Sequence, residues 1–454
     1  MSKEENGNGL YLYLKRWFLI EKYELAALVY SFIFFFTLLS TNYILRPFRD
    51  EMGIAGGIEN LPWLFTATFI SMLTVVPIFA WLTKRYPRKR FLPYVYIFFT
   101  LNILTFYVLF NLGFDHAVLA RIFFVWLSVF NVFVVSVFWS FMIDVYTNEQ
   151  SKRLFGIIAA GGSAGAIAGP AIAASLSVPL GPVNLLLIAA GMLLFSTVCI
   201  FSLVSWSKKF QLKNISNGSG EDINQKPIGG GILDGIKAVF TSRYLLGICL
   251  LIICYSSVST FLYFEQANIV RDTIKDSAQR TALFASIDLA TNIIAISSQL
   301  FVTNRFIKKF GLAILLAFIP VLDIIGLLTL SIATVLPVLI VVQVIHRAGE
   351  FSLSRPGREV LYTVTSRKER YKAKNFIDTA VYRGSDALIS WVFAGLTGIG
   401  FGLSAMALFA VPIAAIWAVN GLIMGKKQQI KKEQMELFKK ENENPATVVN
   451  LNKN

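Results

Sequence analysis

About twelve apolar runs, each near the length that crosses a bilayer, set what this chain can fold into. A hydrocarbon core takes about 20 apolar residues per helix, and lipid leaves helices or closed barrels as the spanning forms. In the first half the runs are Leu25–Leu45, Leu61–Leu82, Phe91–Leu112, Leu119–Ile143, Leu154–Leu176 and Val183–Val204. In the second they are Leu245–Tyr263, Leu283–Val302, Leu312–Ile332, Val335–Phe351, Thr379–Ile399 and Leu403–Ile423. Charged residues make up only 15% of the chain, against about a quarter in soluble domains. These runs predict an all-α membrane protein of about twelve spans in two pseudo-symmetric six-helix halves. No cleavable signal peptide is expected, because residues 1–9 are polar and the first apolar run is too long for a signal core.

The net charge of +15 is topological rather than a nucleic-acid footprint. Lys15, Arg16 and Lys22 precede the first run, and Lys84, Arg85, Arg88, Lys89 and Arg90 separate the second from the third. Further basic residues follow at Lys152 and Arg153, Lys208 to Lys213, Arg305 to Lys309, Arg367 to Arg370 and Lys426 to Lys432. All fall in even-to-odd connections or at the ends, which places both termini in the cytoplasm, with a bacterial inner membrane as the expected location. The opposite connections, near Asp115, Pro179 and Thr334, lack Lys and Arg.

Two places break the rule: Arg46 and Arg49 after the first run, and Arg271, Lys275 and Arg280 after the seventh. They sit at corresponding points of the two halves, as do the short basic turns TKRYPRKRF and TNRFIKKFG. This internal correspondence suits two related six-helix repeats. The expected layout is a cytoplasmic segment 1–22, a half 23–205, a polar linker 206–242, a half 243–425 and a solvated tail 426–454.

Charges inside apolar runs cost about 2.5–3.5 kcal/mol each at mid-helix on the insertion scale, so they mark the bundle interior. They are Arg121, Asp144, Asp288, Asp323, His346, Arg347, Asp378, Arg383 and Asp386. Each is either half of an internal ion pair or part of a solute or proton site. The stretch Asn42 to Gly53, NYILRPFRDEMG, runs a greasy segment straight into Arg46, Arg49, Asp50 and Glu51. Gly161, Gly162, Gly165 and Gly169 with Pro170 form a small-residue face in the fifth run, expected to serve helix packing. Cys199, Cys249 and Cys254 lie in apolar runs without metal or disulfide spacing. No phosphate-binding Gly-rich loop, metal cluster or nucleophile elbow is written in the chain. Neither an enzyme nor a cofactor is expected.

The basic turn Lys84 to Arg90 resembles the loop 2–3 motif of the major facilitator superfamily in its cations, though the motif Gly and Asp are absent. Either a cytoplasmic latch or plain topogenic charge accounts for it. Three longer segments together resemble the nucleotide transporter family, the ATP/ADP translocases of plastids and intracellular bacteria. NYILRPFRDEMG is similar to Asn-Tyr-x-Ile-Leu-Arg-x-x-Lys-Asp, with Arg46 on the arginine, Arg49 on the lysine and Asp50 on the aspartate. VFWSFMIDVYTNEQSKRLF is similar to a second motif through Trp139, Phe141, Lys152 and Arg153. FSLSRPGREVLYTVTSRKERYKAKNFID is similar to a third through Ser352, Leu353, Pro356, Glu359, Lys374 and Asp378, with Arg358 in place of a lysine. FEQANIV places Glu265 on a family glutamate. The chain departs at Phe65 and Asp386, where the family has lysines, at Leu127, where it has a glutamate, and at Gln150, which replaces another.

The resemblance implies a secondary transporter of an anionic metabolite, nucleotide-like in the family, working as a monomer by alternating access. It implies solute contacts from Arg46, Arg49, Asp50, Glu265, Arg358, Glu359, Lys374 and Arg383. Asp288, Asp323, His346, Asp378 and Asp386 remain for coupling or ion pairing. A proton-coupled carrier of another solute, using Asp288, Asp323 or His346, is the first alternative. A non-transporting scaffold or receptor is the second, and it lacks a use for so many intramembrane charges.

Overall fold

The computed structural model describes residues 21, 23–85, 88–216, 239–366, 373–374 and 376–443. The expected N-terminal segment, most of the linker, the cations Arg367, Lys368 and Arg370, and the end of the tail lie outside the described residues. Among the described residues the chain is helical, with no strand. The helices are α1 Leu25–Ala55, α2 Leu61–Arg85, α3 Arg88–Asn111, α4 His116–Val145, α5 Asn148–Leu180 and α6 Leu185–Ser216, then α7 Arg243–Thr273, α8 Ser277–Ser298, α9 Asn304–Ile332, α10 Leu336–Gly349, α11 Tyr382–Gly398 and α12 Leu403–Glu443. Their outward faces are apolar and exposed. Phe98, Leu101, Ile122, Ile325 and Leu388 are each more than half exposed, a surface that water would not tolerate and lipid requires.

Helix starts follow local chemistry. Asp115 accepts from the backbone N–H groups of Ala117 and Val118 at the start of α4. Thr147 and Gln150 form a reciprocal capping box at the start of α5, satisfying donors that would otherwise be orphaned. Helix ends correct the sequence reading in four places. α1 continues ten residues past Leu45, so Arg46, Arg49, Asp50 and Glu51 lie inside a helix and not in a loop beyond it. α7 likewise runs to Thr273, which takes Glu265 and Arg271 into the helix. The turn TNRFIKKFG is helical up to Gly311, where φ of +79° breaks the run. α12 runs on to Glu443, past residue 425 where the second half was expected to end.

In each case polar side chains do not stop a helix. Helix propensity is high for Arg, Lys, Glu and Gln, and only Gly, Pro or a cap ends the run. Residues 277–332 form one helical run of 56 residues, about twice what one crossing needs. A π segment, Gln299–Thr303, divides it into α8 and α9, and Gly311 kinks α9 within its length. A second π segment, Glu350–Ser354, carries α10 on into Arg355–Leu361, and a third, Ile377–Val381, leads into α11.

The chain forms two compact units. The first holds residues 1–225 with 270–292, the second residues 226–269 with 293–454. In the first unit α1 is the central helix, packed on α4, α5 and α6. The glycines of α5 allow its approach. A Cβ at Gly161 would sit 2.5 Å from the carbonyl oxygen of Phe32, and one at Gly169 2.7 Å from that of Ser40. A Cβ at Gly165 would collide with the Phe36 carbonyl oxygen. The small-residue face is therefore a packing seam, as expected, and its partner is α1 of the same unit. In the second unit α9 packs on α12 and α10.

Residues 270–292 join the first unit through charge. Arg280 Nε donates to Glu51 Oε2 at 2.6 Å and Nη2 to Oε1 at 2.7 Å, a bidentate fork on a fully buried carboxylate. Arg280 also donates to the carbonyl oxygens of Ile274 and Lys275. Asn292 donates to the Ala166 carbonyl oxygen at 2.6 Å.

Two outcomes follow from this packing. Gly165→Ala should destabilise the protein by about 1–3 kcal/mol through overpacking of the seam, seen as a lower melting temperature, whereas Gly191→Ala, where nothing crowds the added methyl, should not. Arg280→Gln should cost about 3–5 kcal/mol by stranding the buried Glu51 charge. Adding Glu51→Gln to Arg280→Gln should recover most of that loss in a double-mutant melting series.

Candidate functional site

In the first unit the unusual charges sit on successive turns of α1. Pro47 inside the helix frees a backbone carbonyl one turn earlier. Arg46 Nε lies 3.6 Å from Asp288 Oδ2 on α8, and Asp288 is buried. The Arg46 guanidinium also lies 6.0 Å from the Tyr43 ring centre. Arg49 is differently placed. Its guanidinium lies over the Phe124 ring of α4 at 4.1 Å. Among the described residues its one ion pair is a loose 3.7 Å approach to the neighbouring Asp50, and its Nε is buried without a hydrogen-bond partner. Arg121, the other internal cation of this unit, donates to the Gly56 carbonyl oxygen at 2.8 Å and closes the end of α1. It is structural.

The sequence departures take a physical form here. Phe65 packs beside Phe124 at 6.1 Å between ring centres, and Leu127 is buried in the apolar core of the unit. Where the nucleotide transporters carry a lysine and a glutamate, this chain has two hydrophobic side chains, and Phe65 packs on the Phe124 ring that Arg49 covers. Gln150 is fully used as a cap and as a donor to Glu24 at 2.9 Å. Arg153 grips the same buried Glu24 at 2.9 Å, so the second motif holds α5 to the start of α1.

In the second unit the predicted residues fall into three groups. Asp386 accepts from Ser256 at 2.5 Å and Thr260 at 3.3 Å on α7, and from Arg383 at 3.3 Å. That carboxylate is satisfied and locks α11 to α7. A second group runs along the end of α10. Arg358 lies between Glu350, at 3.7 Å, and Asp378, at 3.8 Å, and Lys374 pairs with Glu359 at 2.6 Å nearer the surface. The third motif is thus a set of mutual ion pairs, and Asp378 turns to Arg358 rather than to Arg383. The third group is His346 Nδ1 with Asp323 Oδ2 at 2.9 Å, both buried. Glu265 stands apart: it is completely buried on α7 and neither oxygen has a hydrogen-bond partner among the described residues.

Glu350 is the residue the sequence reading passed over, and Glu51 was named there without a role. Glu350 was legible as an acid four residues past His346 within an apolar run, the spacing that puts two side chains on one helix face. Glu51 could not be matched to Arg280, 229 positions away, without the fold. Among the described residues no group of His, Cys, Asp and Glu could hold a metal ion.

Comparison with known proteins agrees with this architecture. A transporter of the POT family, solved with a thioalcohol-conjugated peptide, is similar with a TM-score of 0.60 at 12% identity, over 88% of this chain and 96% of that one. A bacterial homologue of the iron transporter ferroportin, in an inward-facing state, gives 0.60 at 13% identity, over 87% and 98%. The nucleoside transporter NupG gives 0.58 at 10% identity, over 89% and 99%. At such identities the likeness is one of fold. No curated protein matches the chain. Residues 25–287 match the family model of the Major Facilitator Superfamily, and the chain belongs to that superfamily, as a membrane transporter of small molecules rather than an enzyme.

Proposed function

We propose that this secondary transporter carries an anionic solute by alternating access, and that Arg49, assisted by Arg46, holds the solute's phosphate or carboxylate. The state of Arg49 carries the reading. A guanidinium within a membrane helix is expensive unless its donors are used, yet this one is spent on an aromatic face and a loose contact to its neighbour. The planar fork matches a phosphate or carboxylate bidentately. Arg46 is drawn toward Asp288, so it supplies field and a second contact rather than the primary grip.

The similar structures span transporters named for peptide, iron and nucleoside cargo, so the fold does not choose the solute. What favours a nucleotide is the similarity of NYILRPFRDEMG to the nucleotide transporters. What opposes ATP or ADP as such is the apolar character of Phe65 and Leu127, where those transporters carry a lysine and a glutamate. A phosphorylated metabolite of lower charge fits these residues better than a triphosphate. Glu265 and Arg358 belong to the second unit, where Arg358 is already shared by two carboxylates.

Reconstituted into liposomes, the protein should exchange labelled nucleoside monophosphates or phosphosugars. Arg49→Ala should lower the initial rate about 10- to 100-fold, the worth of a charge-assisted hydrogen bond of about 1.5–3 kcal/mol. Arg49→Lys should keep part of the rate and Arg121→Lys most of it. Exchange that is indifferent to Arg49→Ala would remove this residue from the site.

A further inference from the structure

Where α7 begins and α12 leaves its apolar run, the second unit holds a cavity of about 360 Å³. That lies within the size range of small-molecule sites, about 300–1,000 Å³. Ser242, Arg243 and Tyr244 line it from the start of α7, and Lys427, Ile430 and Lys431 line it from α12. The three α12 residues are spaced three and four apart, so they share one face of the helix. The lining therefore carries three cations and no acid.

These cations are held in place without being neutralised. The Lys431 ammonium lies 4.6 Å from the centre of the Tyr244 ring. Tyr244 is buried and its hydroxyl donates to the Leu361 carbonyl oxygen at 2.8 Å, which fixes the ring. Among the described residues no carboxylate pairs with Arg243, Lys427 or Lys431. The acids further along α12 are engaged elsewhere: Glu436 meets Lys432 at 3.8 Å, and Glu433 accepts from Gln429 at 3.1 Å. The frame around the cavity is tight. Asn420 of α12 donates to the Gly247 carbonyl oxygen of α7 at 2.9 Å, and Gly247 has no room for a Cβ beside the Met424 sulfur. Like charges on so fixed a frame repel one another until an anion comes between them.

Depth and surroundings select the anion. The apolar run of α12 ends at Ile423, and Lys427 and Lys431 stand four and eight residues beyond it, about 6 and 12 Å along the axis. Helix side chains lean toward the N-terminus, so both lysines lean back toward the bilayer. Arg243 stands two residues before the apolar run of α7, which starts at Leu245. All three thus reach the headgroup layer, about 5–8 Å deep on each side of the hydrocarbon. Beside the cavity the surface turns apolar. Leu246 and Leu250 continue the Arg243 face of α7, and Ile423 and Ile416 continue the Ile430 face of α12, all of them exposed. A soluble anion makes no contact with such faces, whereas the acyl chains of a phospholipid cover them. The positive-inside pattern puts this end of both helices at the cytoplasmic leaflet, where anionic lipids collect.

We propose that this cavity binds the phosphate of an anionic phospholipid, held by Arg243, Lys427 and Lys431, with the lipid chains on the two apolar faces so that the lipid ties the start of α7 to α12. Nothing in this site depends on which solute the protein carries.

The purified full chain in micelles of a neutral detergent tests it, at physiological salt, where a screening length of about 8 Å weakens diffuse attraction. Phosphatidylglycerol should raise the melting temperature by binding the folded state, and phosphatidylcholine with the same chains should not. Arg243→Gln, Lys427→Gln and Lys431→Gln together should weaken the apparent affinity for phosphatidylglycerol about 100-fold, at about fivefold for each cation. Lys426→Gln with Lys432→Gln, which removes two charges of α12 outside the cavity, should leave that affinity unchanged. An equal response to the two lipids, or an equal loss per charge in the two sets of variants, would overturn the site. Stabilisation by inorganic phosphate or glycerol 3-phosphate to the extent given by phosphatidylglycerol would overturn the lipid as its ligand. Should the triple variant fail to fold, Lys427→Gln and Lys431→Gln singly, both at exposed positions, should each lower the affinity about fivefold. An affinity untouched in both overturns the proposal.

Discussion

A charge taken out of water must be answered by protein, and in this molecule that requirement organises both the helices and the site. The outward faces of the helices are apolar, so a charged side chain on a spanning helix must turn inward. There it finds a counter-charge, an aromatic face or nothing. Glu51 with Arg280, Glu24 with Arg153 and Asp386 with Arg383, Ser256 and Thr260 are complete answers. Each draws together segments distant in sequence, and each leaves no capacity for a ligand. Breaking one strands its partner, which is why such pairs constrain a structure more than they stabilise it. Among the described residues, unmet polar atoms remain on Arg49 in the first unit and on Glu265, Asp323, His346 and Arg358 in the second.

Completeness therefore separates structure from function among residues that look alike in the sequence. Arg121 and Arg49 are both arginines inside spanning helices. Arg121 closes the carbonyl of Gly56 at the end of α1, and Arg49 rests on Phe124 with a donor unspent. Asp386 and Asp323 are both aspartates in apolar surroundings. Asp386 is met by three donors, and Asp323 keeps one oxygen unused beside a histidine that keeps one nitrogen unused. A hydrogen-bond inventory distinguishes these cases, and no count of intramembrane charges could do so.

Much of the fold was legible because lipid imposes a length and a polarity that composition alone can meet. The twelve runs and the packing role of the α5 glycines are read from the chain without its structure. Helix ends were not, and the reason is common to α1, α7 and α12. Each leaves the hydrocarbon before it stops being a helix, and hydropathy reports only the first of these events. Arg46 to Glu51 read as a loop because they are charged, yet only glycines at positions 56 and 57, the latter at φ +90°, end the helix. The site was legible in its residues but not in its pairs. Arg46 and Asp288 were both marked as candidates, whereas their approach depends on α8 reaching α1. Asp378 and Arg383 were both marked as candidates, and within the π segment at residues 377–381 Asp378 pairs with Arg358 rather than Arg383.

The placement of π segments gives this last point more reach. Among the described residues three interrupt the second unit, at residues 299–303, 350–354 and 377–381. Thr303 of the first donates to the carbonyl oxygen of Ser352 in the second at 2.8 Å, so two of the irregular turns are bonded to each other. The second begins with Glu350 and the third contains Asp378, the two carboxylates that share Arg358. A π turn inserts one extra residue into a helix and re-aims the side chains that follow, which is why such turns gather at functional positions. Here they bring acids from two helix segments onto one guanidinium. Glu350, at the start of the second π segment, stands four residues past His346 and beside Arg358.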